Sequence, residues 1–191
     1  MLTNSVLIVG DSPYLKEIEG ELTFLIQRYP SLGINNIVRK YETQIHIFQD
    51  IPFITLTNKF PSMKTVAPYA HGDLIQKKNK ELIDSYTFDF MRNSAEDIYK
   101  DGKLAWCGFT HDYAISYCIM KGYQNIVLIG TADFEQGKHF MTEQDFSPSQ
   151  ILAINSKKFI ETICTQRANI YTCNQNSWLS LPRIEISELL K

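Results

Sequence analysis

Two short apolar runs, each followed directly by a glycine, constrain the fold of this chain more than any other feature. They occupy residues 6–9 (VLIV) and 126–129 (IVLI). A run of this length without alternating polar residues is typical of a strand that is buried on both faces, as in a parallel sheet. Because parallel strands need crossover connections, usually helices, the chain is expected to be an α/β protein.

Segments of strand and helix character alternate along the rest of the chain. Strands are predicted at residues 5–9, 33–37, 52–57, 125–129 and 169–173, and helices at residues 14–29, 73–85, 110–121, 149–166 and 187–191, with a loop at 59–72. This order predicts a single Rossmann-like domain over residues 1–191, with a mostly parallel, doubly wound sheet and helices on both faces. Ligands of such sheets bind outside the carboxyl ends of the strands, so residues directly after strands are the candidate site residues.

The composition of the chain limits the kinds of partner that it is expected to bind. The net charge of −2 argues against broad capture of nucleic acid, which needs a concentrated basic surface. No apolar run is long enough to span a membrane and no secretory leader is recognisable, which predicts a cytoplasmic protein and leaves peripheral membrane contact and oligomerisation open. The four widely spaced cysteines favour buried thiols over a zinc site or disulfides: Cys107, Cys118, Cys164 and Cys173.

The turn Gly10-Asp11-Ser12 after the first strand supports two hypotheses. In the first, Ser12 is a nucleophile, since the turn resembles the opening block of the GDSL or SGNH hydrolases. Those enzymes take their base from a C-terminal Asp-x-x-His block, which none of the four histidines completes: His46, His71, His111 and His139. The hydrolase hypothesis is therefore the less favoured one, although a triad is defined by geometry and can be built from other positions.

In the second hypothesis the turn binds a nucleotide. Gly10 would let a ligand approach the backbone, and the amides at the following helix start would attract phosphate. Asn35 and Asn58 each offer a donor and an acceptor, which suits ribose hydroxyls and a pyrimidine edge, and Thr110 adds a hydroxyl at a helix start. The alternative is that these residues are ordinary caps of turns and helices.

Five segments resemble, in the same order, the motifs of the bacterial sialyltransferases of the Campylobacter and Haemophilus lipooligosaccharide type and of the related motility-associated flagellin glycosyltransferases. The segments are VLIVGDSPYLKEIE, LGINN, TLTN, FTHDYAISYCIMKGYQNIVLIGTADF and NIYTCNQNSWL. The resemblance implies transfer of sialic acid, or a related nonulosonic acid, from a CMP-activated donor to a surface glycan. It implies no metal and no further cofactor, and it places Asp133 with Gly10, Asp11, Ser12, Asn35, Asn58 and Thr110 on the nucleotide.

The chain departs from that family where the chemistry is concentrated. Asp11 stands where the family has asparagine, and Thr110-His111 replaces its Ser-Gly. Glu135 and Phe140 occupy the positions that match the family's pair of tyrosines. These departures favour an alternative to the transferase: a member of the family that binds the nucleotide but has no transferase activity.

The family's general-base histidine is missing from residues 145–148. His139, in the same shortened segment, and His111, at a helix start, are the candidate replacements, because a histidine titrates near neutral pH. The positive end of the helix is expected to lower the pKa of His111 and to keep its ring neutral.

Overall fold

The computed structural model of the protein describes residues 3–49, 63–68, 82–90, 98–100, 103–132 and 150–191. The strands are β1 (Ser5–Val9), β2 (Ser31–Ile34), β3 (Ile45–Ile47), β4 (Lys64–Pro68), β5 (Leu82–Phe90), β6 (Tyr99–Lys100), β7 (Lys103–Trp106), β8 (Asn125–Ile129) and β9 (Asn169–Thr172). The α-helices are α1 (Glu19–Arg28), α2 (Thr110–Met120), α3 (Gln150–Lys158) and α4 (Ile186–Leu189), and 3₁₀ turns occupy Pro13–Lys16 and Asn35–Arg39.

The strands form one sheet in the order β6-β7-β5-β4-β3-β2-β1-β8-β9. Every neighbouring pair runs parallel except β6 and β7, which are antiparallel. β1 lies between β2 and β8, so the chain first builds the sheet to one side of β1 and later returns to its other side. The carboxyl ends of β1 and β8 therefore form the switch point at which such folds bind ligands.

Helices cover both faces of the sheet, as predicted. Val6 and Ile8 belong to a core that also contains α2 and the helical residues 159–163, whereas Leu7 and Val9 belong to a second core with α1, the turn Asn35–Arg39 and α4. Successive strand residues point to opposite faces, so one apolar run supplies both cores. The Rossmann-like α/β fold predicted from the sequence is confirmed.

The elements best predicted are those that carry both cores. β1 and β8 have the predicted bounds, and α2 ends one residue before the prediction. All four cysteine thiols are buried, as expected. Within the part of the chain described, no helix is both long and apolar enough to cross a membrane.

Several predicted elements on the β2 side of the sheet are wrong. The strand predicted at 33–37 ends at Ile34, because Asn35 adopts a φ of 52° and starts a 3₁₀ turn. β4 lies in the segment predicted as loop, β5 overlaps the end of the helix predicted at 73–85, and β3 was not predicted. The strand predicted at 52–57 and residues 73–81 lie outside the described residues.

The helix predicted at 149–166 is confirmed with a change of winding. It is α-helical over Gln150–Lys158, π-helical over Phe159–Ile163 and 3₁₀ over Cys164–Gln166. A π turn inserts an extra residue into the helical repeat and occurs frequently at functional sites. Ser156 lies in the last α-helical turn before it, fully buried.

Replacing either of two glycines by alanine is expected to change the free energy of unfolding, in opposite directions at the two positions. Gly20 is exposed in α1 and Gly122 follows α2 with a φ of 84°, and an added Cβ would contact nothing within 4 Å at either position. Gly20→Ala is expected to raise the free energy of unfolding by about 0.5 kcal/mol, the lower end of the range for a helix interior, because Gly20 is the second residue of α1 and alanine loses less entropy in a helix. Gly122→Ala is expected to lower it by about 1–2 kcal/mol, because a Cβ is strained in the left-handed region.

Urea unfolding of both variants beside the wild type measures these differences. Gly122→Asn is the matched control, since asparagine tolerates a positive φ and should lose less stability than alanine. Two shifts of the same sign would contradict the assigned backbone conformations.

Candidate functional site

The carboxyl ends of β1 and β8 are held together by their backbones. Gly10 donates its N–H to the carbonyl of Ile129 at 2.8 Å, and Ser12 donates to the carbonyl of Gly130 at 2.9 Å. A Cβ on Gly10 would lie 2.3 Å from the Gly130 oxygen and 2.8 Å from the Cβ of Thr131. Close packing of the two turns therefore already requires glycine at position 10, and the nucleotide contact proposed for it stays a prediction.

Ser12 acts as a cap in this turn. Its Oγ accepts the N–H of Tyr14 at 3.2 Å at the start of the 3₁₀ turn, and Asp11 and Ser12 are 9% and 5% exposed. Both described histidines direct Nε2 to other partners: His46 to the carbonyl of Asn35 and His111 to Ser156. These contacts favour the cap over the nucleophile for Ser12.

Three polar side chains meet at the carboxyl ends of β2 and β3, and we call them the carboxyl-edge cluster: Asn35, Gln49 and Thr110. Asn35 directly follows β2, Gln49 lies two residues after β3, and Thr110 is the first residue of α2. Thr110 Oγ1 lies 3.2 Å from Asn35 Oδ1 and 3.3 Å from Gln49 Oε1. The structure thus brings together two residues predicted for the nucleotide site, from positions 75 residues apart.

Gln49 is the member of the cluster that the sequence analysis missed. The signal that would have found it is the short alternation Ile45-His46-Ile47, which marks β3 and makes Gln49 a residue at a carboxyl end. His46 is fully buried and its Nε2 lies 3.2 Å from the carbonyl oxygen of Asn35, so β3 also supports the backbone that presents Asn35. The candidates Asn58, Asp133 and His139 lie outside the described residues.

Behind Thr110 lies a buried polar group that we call the relay: His111, Ser156 and Asp112. The three residues are 4%, 0% and 0% exposed. His111 Nε2 lies 3.2 Å from Ser156 Oγ and 3.5 Å from Asp112 Oδ1, and the Ser156 hydroxyl donates a short hydrogen bond to Asp112 Oδ1. The other oxygen, Asp112 Oδ2, accepts the N–H of Phe109 at 3.0 Å.

Burial shifts the pKa of both titratable members of the relay. It lowers the pKa of His111 to about 3 and raises the pKa of Asp112 to about 7, and the hydrogen bonds from Ser156 and from the backbone partly oppose the rise. The pKa of His111 is lowered in the expected direction, and desolvation is the cause. Asp112 and Ser156 were not singled out from the sequence.

The loop after β9 closes over the relay. The backbone N–H of Trp178 donates to the carbonyl of Ala132 at 3.2 Å, and the Trp178 ring centroid lies 6.1 Å from that of His111. Phe109 stacks on His111, with ring centroids 5.2 Å apart and an angle of 8° between the ring planes. Ala132 has a φ of 60°, a conformation that costs an L-residue energy and is found often at functional sites.

No protein-family model matches this chain, and a search of curated proteins finds no match. Among the residues that the structure describes, no three histidine, cysteine or acidic side chains are grouped as a metal site would require. The function is therefore inferred from the side chains of the site together with the resemblance of the sequence segments.

The raised pKa of Asp112 predicts how stability changes with pH. The folded state keeps the proton of Asp112 up to about pH 7, whereas the unfolded chain releases it near the ordinary value of 3.8. Between these values the folded state binds more protons, so this group stabilises the fold at low pH and loses that contribution as the pH rises. The contribution of His111 has the opposite sign, because its pKa is lowered from 6.5.

Asp112→Asn removes the contribution of Asp112 to the pH dependence of stability and leaves that of His111. The free energy of unfolding of the wild type minus that of Asp112→Asn is expected to fall from about pH 4 to pH 7 and then to level off, as measured by urea unfolding at each pH. A difference that stays flat from pH 4 to pH 7 would mean that Asp112 is already ionised in the folded state while His111 is neutral.

Proposed function

We propose that this chain is a glycosyltransferase that uses a CMP-activated sialic acid, or a related nonulosonic acid, and transfers the sugar to a surface glycan. The observation that carries the proposal is the carboxyl-edge cluster of Asn35, Gln49 and Thr110, next to the switch point between β1 and β8. Open parallel sheets bind nucleotides at this place. The resemblance to the lipooligosaccharide sialyltransferases supplies the sugar class.

The chemistry of the cluster suits a cytidine nucleotide. Two amide side chains and one hydroxyl provide donors and acceptors at close range, as ribose hydroxyls and the edge of cytosine require. α2 begins at Thr110, so the positive end of an 11-residue helix faces the same place and favours a phosphate. The Asp11 carboxylate would repel a phosphate bound here, and it is the main departure from the family's sequence that a phosphate must accommodate.

Transfer from a CMP-activated sugar passes through an oxocarbenium-like state. The protein must then stabilise the leaving phosphate and take a proton from the acceptor hydroxyl. His139 is the proposed base, because His111 is 4% exposed and its Nε2 is held by Ser156. In this proposal His111 is not the base and lies in the buried relay next to Thr110.

CMP binding tests the site. CMP is expected to raise the melting temperature of the wild type more than UMP, GMP or AMP, because a ligand that binds only the folded state stabilises it by RT ln(1 + [L]/Kd). Asn35→Gly and Thr110→Val are each expected to weaken CMP binding on the order of 10-fold, since each removes hydrogen-bonding groups. Glycine at position 35 keeps the positive φ of 52° without strain.

Asn4 provides the matched control. It has nearly the same backbone conformation, with a φ of 50°, but lies at the amino end of β1 and donates to the carbonyl of Gly122. Asn4→Gly should leave the CMP affinity unchanged. Equal CMP affinity for the wild type and Asn35→Gly would refute the site.

Turnover separates a transferase from a binding protein. His139→Ala is expected to slow hydrolysis of CMP-sialic acid, or transfer from it, by a factor on the order of 10²–10⁴ with CMP affinity largely kept, as loss of a general base predicts. Quantifying released CMP by chromatography, together with the binding assay, gives both values. Selective CMP binding by the wild type with no turnover on nonulosonic donors and glycan acceptors would favour the nucleotide-binding member without transferase activity.

A further inference from the structure

The Ser156 hydroxyl lies between two groups that compete for its single hydrogen. Its Oγ bonds Asp112 Oδ1 and also lies 3.2 Å from His111 Nε2. Ser156 is fully buried, so the direction of its O–H depends on these two neighbours. A hydroxyl donates one hydrogen bond and accepts others, which makes Ser156 a connection whose polarity can reverse.

The charge of Asp112 fixes that polarity. An ionised carboxylate only accepts, so Ser156 then donates to Oδ1 and accepts the N–H of His111 Nε2. Protonated Asp112 carries its hydrogen on Oδ1, since Oδ2 accepts the N–H of Phe109, and donates it to Ser156 Oγ. Ser156 then donates to His111 Nε2, and the hydrogen of the neutral ring is on Nδ1.

We propose that Ser156 is a positioning residue that couples the charge of Asp112 to the tautomer of His111, so that Nδ1 becomes a hydrogen-bond and proton acceptor only when Asp112 is ionised. The protons balance in this change. Asp112 releases one proton to solvent, the Ser156 hydroxyl rotates from Nε2 to Oδ1, and the ring exchanges its Nδ1 hydrogen for one on Nε2 and stays neutral throughout.

Among the described residues around the relay, Asp112 is the group that titrates near neutral pH. Cys107, from the segment before α2, and Cys164, from the 3₁₀ turn after the π turn, face Asp112, and burial raises the pKa of both thiols far above neutrality. Phe109 and Trp178 flank His111 without charge. Burial lowers the pKa of His111 to about 3 and raises that of Asp112 to about 7, so both groups are neutral between these values and the carboxyl is the group that loses a proton near neutrality.

The consequence for activity rests on the proposed function. His111 directly follows Thr110 at the start of α2 and its ring is buried, so its tautomer would act on the nucleotide site through the groups that position Thr110. Ligand binding or turnover would then change through about pH 7, as Asp112 titrates.

The tautomer can be observed without any ligand. The full-length chain with ¹⁵N-labelled histidine is studied by two-bond ¹⁵N–¹H correlation between pH 5 and pH 9, which reports which ring nitrogen carries the hydrogen. We expect His111 to be neutral across this range and to change from the Nδ1–H to the Nε2–H form as the pH rises. Ser156→Ala should abolish the change, and Asp112→Asn should show a single tautomer at every pH.

Ser116→Ala is the matched control. It removes another fully buried serine hydroxyl, which donates to the carbonyl of Ala105 at 2.9 Å, and it should keep the tautomer change. One tautomer at every pH in the wild type, or an unchanged transition in Ser156→Ala, would overturn the proposal. If Ser156→Ala does not fold, a transition that persists in Asp112→Asn overturns it instead. Since the spectrum is recorded without nucleotide, a failure of CMP binding leaves this test intact.

Discussion

The close contact between the turns that follow β1 and β8 is the constraint on which the rest of the structure depends. Gly10 and Gly130 pack so tightly that a Cβ at either position would overlap a neighbour: the Gly130 carbonyl at 2.3 Å or the Leu15 side chain at 2.6 Å. Two strands that are buried on both faces meet here in register over five residue pairs. The contact fixes the switch point of the sheet, and all the candidate site residues that the structure describes are placed relative to it.

Several polar groups around this point are satisfied by hydrogen bonds within the protein. Ser12 caps a 3₁₀ turn, His46 supports the backbone of Asn35, and Asp112 accepts hydrogen bonds from Phe109 and Ser156. A buried carboxyl without such donors would be costly, since an unpaired charge in the interior loses its hydration. The start of α2 therefore combines two layers: Thr110 in the carboxyl-edge cluster, and His111 with Asp112 in the buried relay.

The predictions that succeeded were those in which local pattern and burial agree. The runs at β1 and β8, the apolar helix α2 and the glycine after it have sequence signals that require no distant partner to be recognised. On the β2 side of the sheet, the local sequence signals predict elements that differ from those in the structure. β3 has three residues, and β4 takes its place in the sheet through hydrogen bonds to β3 and β5 rather than through its own composition, which includes a proline at its end.

The sequence by itself determined the α/β fold, the burial of the four thiols and the position of Thr110 at the start of a helix, because periodicity and glycine placement act over a few residues. Only the tertiary structure decided which of these residues meet. Gln49 joins Asn35 and Thr110 because β3 pairs with β2, and Ser156 reaches His111 and Asp112 from a helix 44 residues away. The shifted pKa values belong to this second category as well, since burial by distant segments, and not the identity of the residue, removes the water that would otherwise stabilise a charge.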